Sequence, residues 1–276
     1  MDQEANEGAS GEGLPRRAVE MDDAYLELRN VYRVFGGLHA TDDLSLNIRK
    51  GELVSVIGPN GAGKTTLLNL ISGVLPISRG QIWFKGHRID TLPAHRISRL
   101  GIARSFQNLQ LFTNMSVVEN VIIGCHKRGR STLPEVMLRT GRVRREQREA
   151  YEFAMEKLVF LGLEKKAHVA SSSLSLKEKK FLGIARALAT QPELLLLDEP
   201  VGGLTVEEIH EAGNKILEMQ ERGITILFIE HRMELVMGFS ERVIVMDFGQ
   251  KIAEGTFEEM KTNRQVIAAY LGQDTE

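Results

Sequence analysis

The chain has 276 residues, of which 42% are hydrophobic and 26% charged, enough for one large globular domain or two unequal ones. Its 35 lysines and arginines nearly balance 37 aspartates and glutamates, so it lacks the global positive charge that attracts nucleic acid. A single cysteine, Cys125, excludes an internal disulfide and fits a reducing compartment.

The first 22 residues are acidic and polar, without the apolar core of a secretory signal. We expect residues 1–22 to be a disordered extension, followed by one folded unit over 23–276. The longest apolar runs, at 194–197 and 224–229, are far shorter than the roughly 20 residues that cross a bilayer. The sequence therefore predicts no membrane span.

Alternating apolar residues predict two early strands, near 26–31 and 44–48. A third strand at 52–58 runs into a glycine-rich turn and then a helix that ends at Gly73. Two hairpins are indicated, one at 81–89 and one at 242–254.

The pattern becomes helical from 116 to about 190, where Ser116 and Glu119 have the spacing of a capping box. Helices are expected at 144–161, ended by Gly162, and at 177–189. Beyond them, apolar strands at 193–197 and 224–229 flank a helix at 206–222. This alternation predicts a parallel sheet covered by helices on both faces.

The glycine-rich turn after the third strand satisfies the phosphate-loop pattern G-x-x-x-x-G-K-[ST] and stands between a strand and a helix, as that motif requires. Its glycines let backbone N–H groups surround phosphates at the positive end of a helix dipole. Lys64 would bridge the β- and γ-phosphates, and Thr65 would offer its hydroxyl to Mg²⁺. The predicted nucleotide-binding residues of this loop are Gly58, Pro59, Asn60, Gly61, Ala62, Gly63, Lys64, Thr65 and Thr66.

Two carboxylates follow the apolar run at 194–197. Asp198 would reach Mg²⁺, directly or through water. Glu199, one residue further on, would point elsewhere and act as general base or orient the attacking water. Together with the phosphate loop, this pair predicts nucleotide hydrolysis.

With these motifs in this order, the chain resembles the nucleotide-binding subunit of ATP-binding cassette (ABC) transporters over residues 24 to about 273. The resemblance implies that Phe35 stacks on adenine and that His231 is the switch histidine at the γ-phosphate. It also implies that Gln107 touches the metal and water while sensing a membrane subunit. Residues 202–205 fall at the D-loop, with Thr205 where the family usually has Asp or Asn. The choice of ATP over GTP rests on the resemblance, because stacking on Phe35 accepts any base.

The resemblance also implies a fold class. It is α/β: a P-loop ATPase with a mixed β-sheet core, an N-terminal antiparallel β subdomain and an inserted α-helical subdomain at about 112–190.

Several strings are similar to one branch, the ATP-binding subunits for branched-chain amino-acid uptake, whose relatives also carry urea, short amides and aromatic acids. They are FGGLHATDDLSL, GIARSFQNLQLF, EHRMELVMGFSERVIVMDFGQKIAEGT and VIAAYLG. This implies a peripheral protein at the cytoplasmic face of the inner membrane. Its implied partners are a second cassette, permease subunits and, indirectly, a substrate-binding protein.

The signature sequence departs from the family. Where the family has LSGGQ or LSYGQ, which caps the nucleotide of the opposite subunit, this chain has Ser175, Leu176, Lys177 and Glu178 after Leu174. Lys177 adds a side chain where glycine lets backbone approach phosphate, and Glu178 puts an anion near the nucleotide. We expect unequal sites in a heterodimer, against the alternatives of a homodimer or of a tolerated variant with full activity.

Other readings stay open. The chain could bind ATP as a regulatory or assembly subunit with little hydrolysis, or it could be a non-transport ABC protein, although no second cassette or long coiled insertion is present in this sequence. The hydrophobic group at 233–237 is expected in the core. A basic cluster is interpreted as a solvated helix face or as a contact with anionic lipid, and its members are Lys127, Arg128, Arg130, Arg139, Arg142, Arg144, Arg145 and Arg148.

Overall fold

The computed structural model describes residues 24–105, 111–125 and 140–271. The expected N-terminal extension lies outside these ranges. The strands in the described part of the chain are β1 (Leu26–Phe35), β2 (Leu38–Ile48), β3 (Leu53–Ile57), β4 (Arg79–Phe84), β5 (His87–Arg88), β6 (Ile102–Ser105), β7 (Leu194–Asp198), β8 (Thr225–Ile229), β9 (Arg242–Asp247) and β10 (Gln250–Gly255).

Helices separate these strands. Within the described ranges they are α1 (Lys64–Ile71), α2 (Ala94–Leu100), α3 (Val117–Gly124), α4 (Gly141–Phe160), α5 (Leu176–Leu188), α6 (Val206–Glu221), α7 (Met233–Phe239), α8 (Phe257–Thr262) and α9 (Arg264–Leu271). None of them is long and apolar enough to span a bilayer.

The strands form two sheets, which confirms the expected fold class. A four-stranded antiparallel sheet has the order β2-β1-β4-β5, and a six-stranded sheet has the order β10-β9-β3-β8-β7-β6. In the larger sheet the five strands from β9 to β6 are parallel, and β10 pairs antiparallel with β9. Every residue of β3, β7 and β8 is buried, as expected for central strands covered on both faces.

Alternate residues of β3 face two different hydrophobic clusters, because side chains alternate across a strand. Leu53 and Ile57 pack with the helices α3 to α6, whereas Val54 and Val56 pack with α1, α2 and the antiparallel sheet. The large sheet is thus the middle layer of the molecule.

Local sequence signals explain where many elements begin and end. The predicted capping box of Ser116 and Glu119 is present at the start of α3, and α5, α6 and α8 begin with the same pattern. Gly73 and Gly162 follow α1 and α4 with φ of +69° and +70°, left-handed values that glycine tolerates. Both hairpins form at the predicted turns.

The structure corrects one expectation and adds elements. Leu235 and Val236 are buried on α7, but Met237 is 53% exposed because it lies on the outer face of that short helix, so its assignment to the core was wrong. The sequence predictions lacked α2, β6, α7, α8 and α9. The described parts of the expected helical subdomain hold α3, α4 and α5; its boundaries stay a prediction.

Candidate nucleotide site

The carboxyl ends of four parallel strands meet at one edge of the large sheet. Asp198, the last residue of β7, pairs with Ile229 of β8, and Ile229 in turn pairs with Val56 of β3. The phosphate loop follows β3, Glu199 follows β7, and His231 comes two residues after β8. The segment with Gln107 follows β6 but lies outside the described residues. Topology therefore brings together most of the predicted site.

Two glycines of the phosphate loop are required by close packing. A Cβ at Gly58 would lie 2.0 Å from the Met246 carbonyl oxygen, and a Cβ at Gly63 would lie 2.2 Å from the Ala40 carbonyl oxygen. Their φ values of +148° and +93° also disfavour other residues. These contacts fix the loop against β9 and β2.

Lys64 begins α1 and is buried, with 6% of its surface exposed. Its Nζ donates to the carbonyl oxygens of Gly58 and Pro59, both at 2.7 Å. Burial lowers the pKa of Lys64, while the charges of Glu199 and Asp198 act in the opposite direction. A cation held in this way at a helix N-terminus suits phosphate oxygens.

The other loop residues are consistent with the predicted roles. Thr65 is exposed in the first turn of α1, and Thr66 and Gly63 are partly exposed. Asn60 and Gly61 are exposed at the tip of the loop, whereas Pro59 and Ala62 are buried beneath it.

Asp198 is held by a residue that belongs to none of the sequence motifs. The Arg104 guanidinium donates to Asp198 Oδ2 at 2.7 Å and to Asn69 Oδ1 at 2.6 Å, and both partners of the ion pair are buried. Burial raises the pKa of Asp198, and Arg104 opposes this rise. An arginine within the apolar strand β6 was the available sequence signal, since a buried charge needs a partner.

The second oxygen of Asp198 supports the predicted Mg²⁺ ligand. Oδ1 is buried and has no hydrogen-bond partner among the described residues. In those same ranges no group of three or more His, Cys, Asp or Glu side chains could hold a metal. Proteins commonly bind Mg²⁺ through one or two oxygen ligands plus substrate phosphates, so Asp198 and the exposed Thr65 suit this ion.

Glu199 and His231 face each other across the ends of β7 and β8. Glu199 Oε1 lies 3.2 Å from His231 Nε2, and both side chains are partly exposed. The backbone of Glu199 has φ of +48°, an uncommon left-handed value for a residue other than glycine. The two predicted catalytic groups therefore form a contact, and the chain turns sharply at the carboxylate.

Phe35 ends β1 with 40% of its surface exposed, so it is not a core residue. The Arg33 guanidinium lies 4.3 Å from its ring centroid. An exposed aromatic ring at the end of a hairpin suits stacking on a base.

The signature segment lies in a different part of the same chain. Ser175 is the N-cap of α5, and the Glu178 carboxylate accepts from the Ser175 backbone N–H at 2.9 Å. Glu178 also pairs with Lys166 at 2.6 Å, and Lys177 donates to Glu211 at 2.8 Å. The lysine on Glu178 lowers the pKa of that carboxyl, and the hydrogen bond to Glu211 raises the pKa of Lys177.

These contacts change the interpretation of the departure at 177–178. The Lys177 ammonium is engaged by Glu211 on α6 of its own chain, and the Glu178 charge is used in a cap. Thr205, at the position that the resemblance assigns to the D-loop, is the N-cap of α6, a role that Thr, Asp and Asn can each fill.

A C-terminal residue also reaches the phosphate loop, and the motifs did not indicate it. Burial raises the pKa of Tyr270 on α9, and the backbone of Gly58 opposes this rise.

Known proteins match most of the chain. Residues 41–202 match the family described as ABC transporter, and residues 250–276 match the family described as branched-chain amino acid ATP-binding cassette transporter. The high-affinity branched-chain amino acid transport ATP-binding protein LivG of Salmonella typhimurium is 41% identical over 254 residues, 92% of this chain and 100% of that protein. The similarly named BraF of Pseudomonas aeruginosa is 37% identical over the same shares.

Solved structures of ABC cassettes are also similar to this chain. A nucleotide-free ATP-binding cassette from an ABC transporter has a TM-score of 0.79 and 34% identity, covering 90% of this chain and 98% of that chain. A dimeric cassette in a post-hydrolysis state, bound to ADP and Pi, has a TM-score of 0.72 and 26% identity, covering 84% and 98%.

The fold and the site define a P-loop ATPase with a cassette architecture. The chain belongs to the ABC transporter family, in its branch of branched-chain amino acid transport ATP-binding proteins.

Proposed function

We propose that this chain binds ATP with Mg²⁺ and hydrolyses it to power import through separate permease subunits, with branched-chain amino acids or related small amides and acids as cargo. The observation that carries the proposal is the convergence of Lys64, Asp198, Glu199 and His231 at one sheet edge in a chain whose relatives are transport ATP-binding proteins.

The chain's own residues supply distinct parts of the chemistry. Lys64 and the loop N–H groups stabilise charge on the γ-phosphate. Asp198 and Thr65 would hold Mg²⁺, which neutralises developing charge on the phosphate oxygens. Glu199 accepts a proton from the attacking water, and its contact with His231 keeps the carboxylate directed toward the γ-phosphate. Phe35 provides the stacking surface for the base.

The permease should dock in a cleft of about 590 Å³ between two parts of the chain. One wall includes Val74 and Ile102, and the other includes Phe112 and Ile123. Val74 and Phe112 are about half exposed, as expected for an apolar surface that a partner covers. The cleft adjoins β6, which leads to Gln107, the residue that the resemblance assigns to sensing the membrane subunit. An apolar helical segment of the permease is the occupant we propose.

Phe112→Asp tests this docking. It should abolish ATP-driven uptake by the assembled transporter while ATP binding by the purified chain is unchanged. Val169→Asp is the matched control, because Val169 is an exposed apolar residue, at 40% against 49% for Phe112, but does not line the cleft. Uptake by the Phe112→Asp transporter equal to wild type would contradict the docking site.

We further propose a heterodimer with unequal sites. In a head-to-tail dimer the segment at 175–178 would cap the partner's nucleotide, and here Lys177 and Glu178 are tied to Glu211 and Lys166. Phosphate would have to compete for Lys177, and the backbone at 177 carries a side chain where glycine would allow approach. The site formed by this chain's Lys64 and Glu199 with the partner's signature would carry most turnover.

The alternative of a regulatory subunit that binds ATP without hydrolysing it is favoured by the altered signature and opposed by the Glu199–His231 contact. The rate of ATP hydrolysis by the assembled transporter distinguishes a hydrolysing subunit from a regulatory one. Glu199→Gln should retain ATP binding and lose most hydrolysis. Hydrolysis that persists at the wild-type rate in Glu199→Gln would support the regulatory role.

The signature itself can be tested by repair. Lys177→Gly combined with Glu178→Gln should raise hydrolysis at the second site, since glutamine retains the capping pattern and glycine frees the backbone.

Because two poor sites would form in a homodimer, the isolated chain should bind ATP but hydrolyse it weakly. Strong cooperative hydrolysis by the purified wild-type chain would contradict the asymmetry.

A further inference from the structure

The backbone around Glu199 and His231 is held by two charged residues that no motif of the site includes. They are Lys180 on the signature helix α5 and Glu230, which precedes His231 at the end of β8. Glu230 is 1% exposed, although a buried carboxylate is costly unless it is satisfied.

Glu230 is satisfied by main-chain donors on two loops. Its Oε1 accepts from the Val201 N–H at 2.8 Å, on the loop that follows Glu199. Its Oε2 accepts from the His231 N–H at 3.1 Å and from the Arg232 N–H at 3.4 Å. One carboxylate therefore joins the loop after β7 to the loop after β8.

Lys180 holds the same region from the other side. Its Nζ donates to the Glu199 carbonyl oxygen at 2.7 Å, while the Glu199 N–H donates to the Ile229 carbonyl oxygen at 3.0 Å. Burial lowers the pKa of Lys180, and the negative charges of Glu230 and Glu199 oppose this. Lys180 thus fixes the peptide of a residue whose φ of +48° is unfavourable on its own.

We propose that Lys180 and Glu230 are positioning residues for hydrolysis: together they fix the main chain that carries Glu199 and His231 so that these side chains meet. The inference rests on the proposed roles of Glu199 and His231. It also links two sites, because the N-cap of α5, Ser175, would face the partner's nucleotide, and the same helix holds Glu199 through Lys180 five residues later. A shift of α5 on dimer closure would be passed by the Lys180 side chain to the main chain that carries the Glu199 carboxylate.

The test is steady-state hydrolysis by the assembled transporter, without cargo, together with ATP affinity of the purified variants. Lys180→Met removes the donor, and Glu230→Gln replaces one acceptor oxygen with an NH₂ group that cannot accept. Each should lower kcat by roughly 10- to 100-fold, since small misplacement of catalytic groups has costs of this order. KM and Kd for ATP should stay within about twofold, because Lys64 and its loop are untouched.

Three further variants complete the design. Lys180→Arg should restore at least half of kcat, since a guanidinium can reach the same carbonyl. Lys179→Met, one residue earlier on α5, is the matched control and should hydrolyse like wild type. The double variant Lys180→Met/Glu230→Gln should lose little more than the worse single variant, because residues that act as a unit are not additive.

Wild-type kcat in both Lys180→Met and Glu230→Gln would overturn the inference. So would a parallel loss of kcat, ATP affinity and melting temperature, which would indicate a purely structural role. Glu199→Gln, measured in the same assay, distinguishes the proposed role of Glu199 from the positioning roles of Lys180 and Glu230. If it remains active, the proposed role of Glu199 fails, whereas an inactive Glu199→Gln with active Lys180→Met and Glu230→Gln overturns only the positioning roles.

Discussion

Replacement of Arg104 by methionine should destabilise the protein, because it leaves the buried negative charge of Asp198 without its partner. The change removes a guanidinium that is 5% exposed from a carboxylate, Asp198, that is 1% exposed. Methionine fills a similar volume but cannot donate to Asp198 or to Asn69. Because Asp198 Oδ1 already has no partner in the described residues, the variant would leave both carboxylate oxygens without a hydrogen bond from this side chain.

The magnitude follows from burial. Removal of one partner of a buried ion pair costs about 3–5 kcal/mol, because the remaining charge is uncompensated. For a chain of this size, each kcal/mol lowers Tm by roughly 2–4 °C, so Arg104→Met should melt roughly 6–20 °C below wild type. Asp198→Asn removes the unpaired negative charge, so the double variant Arg104→Met/Asp198→Asn should recover most of the stability lost in Arg104→Met.

The sign of the pH dependence is also fixed. The pKa of Asp198 is already raised in the folded protein, and loss of Arg104 would raise it further. A carboxyl whose pKa is raised on folding contributes stability at low pH that is lost as pH rises through the folded-state value. The deficit of Arg104→Met should therefore be smaller near pH 5 than near pH 8.

Thermal unfolding by calorimetry at both pH values measures these effects, with Arg88→Met as control because the Arg88 side chain is 43% exposed in its pair with Asp90. A Tm within 2 °C of wild type for Arg104→Met at pH 8 would refute the reasoning. So would a double variant less stable than Arg104→Met alone.

Four other predictions concern separate contacts. Lys64→Met should weaken ATP binding by roughly 10- to 150-fold in a titration, the value of one charged hydrogen bond. Gly63→Ala should lower Tm more than Gly86→Ala, since both have positive φ but only Gly63 meets backbone within 2.2 Å. Glu178→Ala should lower the free energy of unfolding in urea more than Glu178→Gln does, because glutamine keeps the capping box. Burial raises the pKa of Glu254, but Lys251 and Arg242 outweigh this effect and hold the pKa below its ordinary value. The carboxylate therefore adds stability that is lost as the pH falls below the ordinary pKa of glutamate. Arg242→Met should lose less stability on acidification than wild type does.

Much of the fold was predictable because its signals are local. The phosphate loop, the strand that ends at Asp198 and the capping box at Ser116 are each encoded within ten residues of sequence. Strand order could not be predicted in this way, since the pairing of β3 with both β8 and β9 joins segments about 170 to 190 residues apart. The short helix α2 lacks a side-chain cap, so it carried little local signal.

The site was predictable where a motif carries it and not where partners come from distant strands. Arg104, Lys180 and Glu230 gain their roles only when β6, α5 and β8 are assembled around Asp198 and Glu199. The signature segment at 175–178 has a sequence pattern, but its side-chain contacts depend on the fold. From the sequence, Lys177 and Glu178 are singled out by comparison with the pattern of the family that the chain resembles, but only the fold shows that they are engaged by Glu211 and Lys166.

The most direct test of the proposed function is a comparison of two matched changes in the assembled transporter. Glu199→Gln in this chain and the equivalent carboxylate change in the partner cassette are each measured for steady-state ATP hydrolysis. We predict that Glu199→Gln in this chain abolishes most hydrolysis and that the change in the partner leaves most of it. Hydrolysis that survives Glu199→Gln in this chain but is lost with the partner's change would contradict the account.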